Sequence, residues 1–108
     1  MFYIVSKYVI PSKFDGFSLF PFIFLRKKNL KQNSIFINHE RIHLQQQMEL
    51  LVIPFLILYF SEFLFRLCQY KNFMKAYYNI SFEREAYTNE KNLDYLKQRS
   101  FWRFLKYL

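Results

Sequence analysis

The stretch NHERIHLQQQ, residues 38–47, holds both histidines of the chain, His39 and His43, four positions apart with Glu40 between them. Residues four apart share a helix face, with Cβ atoms about 5–6 Å apart. On a helix both imidazoles can therefore turn a ring nitrogen toward one ion. This is the mechanical content of an H-E-x-x-H pattern: two metal ligands one turn apart, with a glutamate beside the first to take a proton from the water the metal activates. Imidazole and carboxylate donors suit zinc, which lowers the pKa of water to about 7. The reading is Zn2+ held by His39 and His43, with Glu40 as general base. The same letters also suit an ordinary amphipathic helix with two solvent-facing histidines, and a third ligand separates the two cases.

A catalytic zinc takes three protein ligands and keeps one position open. The chain has no third histidine, so the search falls on the carboxylates Glu49, Glu62, Glu83, Glu85, Glu90 and Asp94. Glu49 lies six residues past His43 and projects from another face and level of the helix. Glu62 has a local partner in Arg66 at i+4. Glu83 stands in FEREAY at the start of a later helix, forty residues beyond His43, enough chain for a helix to run out and return. Glu85 is the next candidate.

Outward from the motif, residues 50–67 read LLVIPFLILYFSEFLFRL, with only Ser61, Glu62 and Arg66 polar. A membrane span needs about 20 mostly apolar residues, so this segment is borderline. A single crossing would leave the histidines and Glu83 on opposite faces, up to about 30 Å apart. The polar stretch that follows is too short for a second crossing. The metal hypothesis thus disfavours a single-pass topology and requires a buried, interfacial or re-entrant helix that folds back beside the histidines. Pro54 either kinks this helix or starts it. The histidine helix begins at Ser34 or Asn38, both acceptable caps. A last long helix is expected over residues 82–98, capped by Ser81 or Asn79. Upstream, residues 2–10 and 17–25 are rich in β-branched and aromatic types, and Asp15-Gly16 between them supplies turn chemistry for a hairpin. Pro21 pushes the second strand toward an edge or a bulge. Residues 26–34 form a polar, basic loop.

With 108 residues, one domain is expected over residues 1–108. Aromatic content of 23% with a single Gly excludes disorder and low complexity. The net charge of +8 favours an anionic partner, a phospholipid surface or a nucleic acid. No recognised RNA or DNA motif is present, so no nucleic acid is expected. The lone Cys68, set in FLFRLCQY, reads as a small buried hydrophobe, which excludes a disulfide-stapled scaffold. The N-terminus lacks a basic region and a small-residue cleavage site, so no cleavable signal peptide is expected. The expected location is cytoplasmic or peripheral to the inner face of a membrane.

The H-E-x-x-H string followed by a helix carrying E-x-x-A resembles the gluzincin clan of zinc metallopeptidases, in particular the membrane-bound CAAX prenyl protease type and the antibiotic-sensing type. That resemblance implies Glu83 as the third ligand, with Ala86 at the small position. HERIHLQQQ and SFEREAY, with an apolar Pro-containing segment between them, also resemble a group of small bacterial proteins whose cores read H-E-R-x-H-x-x-Q and F-E-R-E-A-Y. The likeness covers residues 17–90. Two departures stand out: Tyr87 replaces the clan's aspartate, which supports a ligand histidine, and the subdomain forming the far wall of a peptidase cleft is missing.

The resulting expectation is an α+β, minimal zincin-like fold: an N-terminal β-hairpin on the HExxH helix, an apolar helix, and a C-terminal helix returning Glu83. Its function is a zinc-dependent metallohydrolase, a peptidase acting on a peptide or protein. The alternative is a non-catalytic protein at a membrane surface with a structural or vestigial metal site. Tyr87, Tyr78 and Gln47 are candidates to support the ligands or an oxyanion; Tyr77 and Gln46 are weaker ones, and Arg41 and Arg84 could meet an anionic group. The tail KQRSFWRFLKYL carries four positive charges interleaved with aromatics, suiting an anionic lipid surface. A homodimer interface is a second use for so much aromatic surface.

Overall fold

The computed structural model describes residues 2–6 and 14–108. The chain is α+β: a three-stranded sheet followed by helices that fold back on one another. Strands β1 (Phe2–Val5), β2 (Gly16–Leu19) and β3 (Phe22–Leu25) lie in the order β1-β3-β2. β3 is central, antiparallel to β2 and parallel to β1.

The hairpin expected to turn at Asp15-Gly16 turns elsewhere. The run 17–25 is split at Phe20-Pro21, a cis peptide, and its two halves pair with each other through Leu19↔Phe22 and Phe17↔Phe24. Proline donates no N–H, so a turn accommodates Pro21 better than a ladder. Gly16 instead opens β2 opposite Leu25. A Cβ there would collide with the Phe24 carbonyl and the Phe36 ring. The chain's only glycine thus serves close approach, not a turn. Of the strand expected over residues 2–10, β1 ends at Val5, and residues 7–13 lie outside the described residues.

The basic loop holds a short 3₁₀ turn, η1 (Lys28–Gln32). Helix α1 (Ser34–Leu50) is capped one residue earlier than expected, by Asn33, whose side chain accepts from Phe36 N at 3.1 Å. Helix α2 (Val52–Tyr70) follows after Leu51 alone, whose positive φ of 67° turns the chain. Pro54 sits in its first turn, where the N–H has no intrahelical partner to lose. Then come α3 (Phe73–Tyr78) and α4 (Ser81–Asn89). The long terminal helix expected over 82–98 breaks after Asn89; only α5 (Tyr95–Gln98) and a 3₁₀ turn, η2 (Arg103–Tyr107), continue it. The break has a cause on α1. The buried Asn38 amide donates to the carbonyls of Asn89, Glu90 and Asn92, satisfying acceptors at the helix end. Asn38 therefore ends α4 rather than starting α1.

The N-terminus of α4 is closed from α2. Ser81 N–H and Oγ–H donate to the two Glu62 oxygens at 2.6 and 2.7 Å, and Arg66 pairs with Glu62 at 3.7 Å, the i,i+4 contact expected. Behind this clamp, Phe55, Ile80, Phe82 and Phe104 form one apolar cluster, with Phe82 centred 4.7 Å from both Phe55 and Phe104. Burying a side chain of this size contributes roughly 1.5–3 kcal/mol. A second cluster, Ile23, Leu25 and Leu44, seats the sheet on α1. These contacts hold α2 and α4 against α1, the fold-back the metal hypothesis required. Among the described residues little packs on the outer side of α2, and Cys68, expected to be buried, is exposed there.

Candidate metal centre

The inward face of α1 is unusually polar: Asn38, His39, Glu40, His43, Gln46 and Gln47 are all buried. α4 presents Glu83 to it. His39 Nε2 and His43 Nε2 stand 3.1 Å apart, and Glu83 Oε1 lies 3.3 Å from the first and 3.0 Å from the second. Donor atoms on a tetrahedral zinc, with bonds of about 2.0–2.1 Å, stand about 3.3–3.4 Å from one another. The three side chains can hold one metal ion. Glu85, the other candidate for third ligand, points away from it.

The neighbours fix which ring nitrogens are free to bind. Gln46 Nε2 donates to Phe82 O at 3.1 Å and to Glu85 Oε1 at 3.0 Å, so its Oε1 faces His43 Nδ1 at 2.9 Å. An amide oxygen only accepts, hence His43 carries its proton on Nδ1. His39 Nδ1 meets Glu90 Oε1 at 3.1 Å in the same sense. Both Nε2 lone pairs and a carboxylate oxygen then converge with no donor among them, an arrangement that a cation stabilises. Carboxylate or amide support behind a ligand histidine sets its tautomer and raises its basicity. A proton competes for the same donors. Burial opposes charge on His43, but the Glu83 carboxylate outweighs it and lifts the imidazole to about 9. Burial likewise opposes charge on Glu83, yet His43 and the bonds from both histidines hold it well below the usual carboxylate range.

Glu40 is buried beside this cluster. Burial pushes its pKa up, offset in part by His43 and His39, and the Ser18 side chain hydrogen-bonds its carboxyl. Its Oε2 has no hydrogen-bond partner among the described residues. A buried carboxylate oxygen left unpaired is uncommon and calls for an explanation in function. Here a cavity of about 390 Å3 has Glu40, His43 and Glu83 at its floor and aromatic walls that include Phe17, Phe55, Phe60 and Tyr77. A second cavity, of about 300 Å3, opens on the His39 side among Asp15, Tyr78, Tyr87 and Glu90. Gly16, Glu40 and Tyr77 border both. The donors thus sit between an apolar and a polar recess.

Of the supporting residues read from sequence, Tyr87 packs its ring edge-on to His39, with centroids 4.4 Å apart, and its hydroxyl meets that of Tyr77 at 3.2 Å. Tyr78 meets Tyr87 edge-on at the rim and is half exposed. Gln47 does not serve an oxyanion. Its oxygen accepts from Phe20 N and its nitrogen donates to Ser18 O, so both ends of the amide are spent holding the β2–β3 turn onto α1. Gln46 is buried rather than solvent-facing, Arg41 is exposed, and Arg84 ties the tail through Tyr107 O.

Three contributors were not read from the sequence. Tyr59, midway along α2, donates to Glu83 Oε2 at 2.6 Å; nothing in an apolar run announces it. Glu90 supplies the negative charge that Tyr87 cannot, and its place seven residues after Glu83, two turns along the same face, was a readable signal. Asn38 holds Glu90 by its backbone. Beyond them, Glu85 anchors Gln46 and is itself bound by Tyr95 Oη and Arg99, which also grips Glu49. Burial opposes charge on Arg99, but these two carboxylates raise its pKa above the usual range. Comparison of the chain with protein-family models, curated proteins and solved structures finds no match.

Proposed function

We propose that this protein is a zinc-dependent metallohydrolase, a peptidase of minimal zincin-like build. The observation that carries the reading is the unpartnered Glu40 oxygen, buried at the floor of a cavity beside three converging donor atoms. His39, His43 and Glu83 would hold zinc, which two imidazoles and a carboxylate suit and which leaves a fourth position for water or substrate. Zinc, when bound, supplies a Lewis acid that polarises a carbonyl and acidifies water.

The chain's own groups do the rest. Glu40, with its proton affinity raised by burial, accepts a proton from the attacking water at its free oxygen and can return it to the leaving amine. Glu90 and Gln46 hold the two imidazoles in the binding tautomer. Tyr59 fixes the second Glu83 oxygen, so the first faces the histidines. Tyr77, between the two recesses, is the hydroxyl best placed to meet a developing oxyanion. The aromatic cavity suits a bulky apolar residue next to the scissile bond. β2 is an edge strand whose Gly16 and Ser18 line that cavity, so a substrate can lie along it extended.

The test is Glu40→Gln, read on quenched peptides with Phe or Leu beside the cleaved bond. Turnover should fall by roughly 10²–10⁴-fold, the range for a general base, while zinc content by atomic absorption stays stoichiometric. Undiminished turnover in the variant, or a zinc-loaded wild type that cleaves no member of a peptide library, would overturn the reading.

A further inference from the structure

The outer side of α2 and the carboxyl-terminal turn next to it form one apolar surface. Ile53, Ile57 and Leu64 follow one another at helical spacing and are 70%, 62% and 60% exposed. Only Phe55 of the nineteen residues of α2 is fully buried. The tail adjoins this helix: Phe104 packs in the Phe55 cluster, and Trp102 N–H and its indole N–H both donate to Glu49 at the end of α1. Phe101, Trp102 and Leu105 are thereby left exposed beside the first turns of α2. A patch of this kind on a folded protein marks a contact with something else.

The distribution of charge says what. Every glutamate is buried or half-buried, committed to the metal donors, to Arg99 or to the α4 N-terminus, and only Asp15 and Asp94 are exposed acids. Many basic side chains among the described residues stay outside, including Lys71 and Lys75 just past the end of α2 and Lys106 within the tail, whereas Arg66 is held by Glu62 and Arg84 by the Tyr107 carbonyl. Among the described residues the exposed charge is therefore predominantly positive. Arg99 is the exception in the tail, buried against Glu85 and Glu49 and lost to any outside partner.

We infer that this face docks on an anionic lipid bilayer, with α2 lying in the interface and its apolar side chains inserted below the headgroups. α2 is the one helix among the described residues long and apolar enough to cross a bilayer. Spanning is disfavoured, because its middle residue Tyr59 is bonded to Glu83 and its inner face packs on α3 and α4. A helix half committed to protein lies flat. This surface is separate from the hydrolase reading, and its test uses no substrate.

Trp102 is the chain's only tryptophan and lies in the patch, so its emission reports on docking directly. The full, zinc-loaded protein is mixed at low salt with vesicles of pure phosphatidylcholine or of phosphatidylcholine with phosphatidylglycerol. Expected are co-sedimentation and a blue-shifted emission with the anionic vesicles only, reversed by salt, and quenching by bromine-labelled acyl chains. The double variant Ile57→Asp, Leu64→Asp should bind about tenfold or more weakly, with zinc content and circular dichroism unchanged. The quenching experiment needs no variant and decides alone if the double variant fails to fold. Unmoved Trp102 emission, equal binding to both vesicles, or preference for an oligonucleotide overturns the inference. So does a lipid-free dimer that the same variant dissolves, which would make a second copy the occupant.

Discussion

The interface of α1 with α4 and the outer face of α2 invert the usual rule of burial. The first is largely polar and buried: His39, Glu40, His43, Gln46, Glu83 and Glu85 lie there beside the apolar contact of Ile42 with Ala86. The second is apolar and open, with Ile53 and Ile57 more than half exposed. Polar groups can be buried when each finds a partner, and a connected chain runs from Glu90 through the histidines, Gln46 and Glu85 to Arg99 and Glu49. Among the described residues the outer side of α2 has no comparable internal partner. The contrast teaches that this fold is shaped around a site and a surface, with three apolar clusters, centred on Phe82, Ile23 and Ile42, joining its elements.

The contrast is most exposed to attack at Glu85. Glu85→Ala strands Arg99, Gln46 and Tyr95 around a buried gap, and removing one partner of a buried ion pair costs about 3–5 kcal/mol. Urea unfolding should register that loss; a cost under about 1 kcal/mol would mean that the network is solvated and the interior not truly closed. Next comes Glu90→Gln, which keeps the hydrogen bond to His39 and removes the charge. Support of this kind is worth about 10–100-fold in metal affinity, measurable by competition with a chromophoric chelator, with stability little changed. An unaltered affinity would leave Glu90 a bystander. Smallest of all is Leu64→Ser on the outer face, expected to shift stability by no more than about 0.5 kcal/mol. A larger loss in lipid-free solution would show that this face is covered, and the comparison would fail on its apolar side.

Much of the candidate site was legible because helical spacing is a local property. His39, Glu40 and His43 had to share a face once α1 formed, and FEREAY had enough chain to return, with Glu83 singled out by the gluzincin resemblance. Glu83 meets the histidines as that reasoning required. The errors lie where a residue's partner is remote in sequence. Asn38, a sound cap by type, ends α4 instead; Gln47 looked free and holds the β2–β3 turn; Gly16 looked like a turn and is a point of contact. Cys68 looked buried because its neighbours are apolar, and on α2 apolar neighbours do not imply burial. The parallel pairing of β1 with β3 was likewise beyond local pattern, since alternation of residue types sets a strand's faces but not the direction of its neighbour.

By itself the sequence determined the helical frame of the two histidine donors and the apolar character of the helix that follows them, since these depend on residue type and on spacings of three and four. Tertiary structure alone decided that Tyr59 holds the second Glu83 oxygen, that Glu62 closes the N-terminus of α4, and that the glutamates turn inward. Those outcomes rest on contacts between segments whose separation in the chain carries no period. They are selected by the global requirement that buried polar groups find partners, to which the free Glu40 oxygen is an exception.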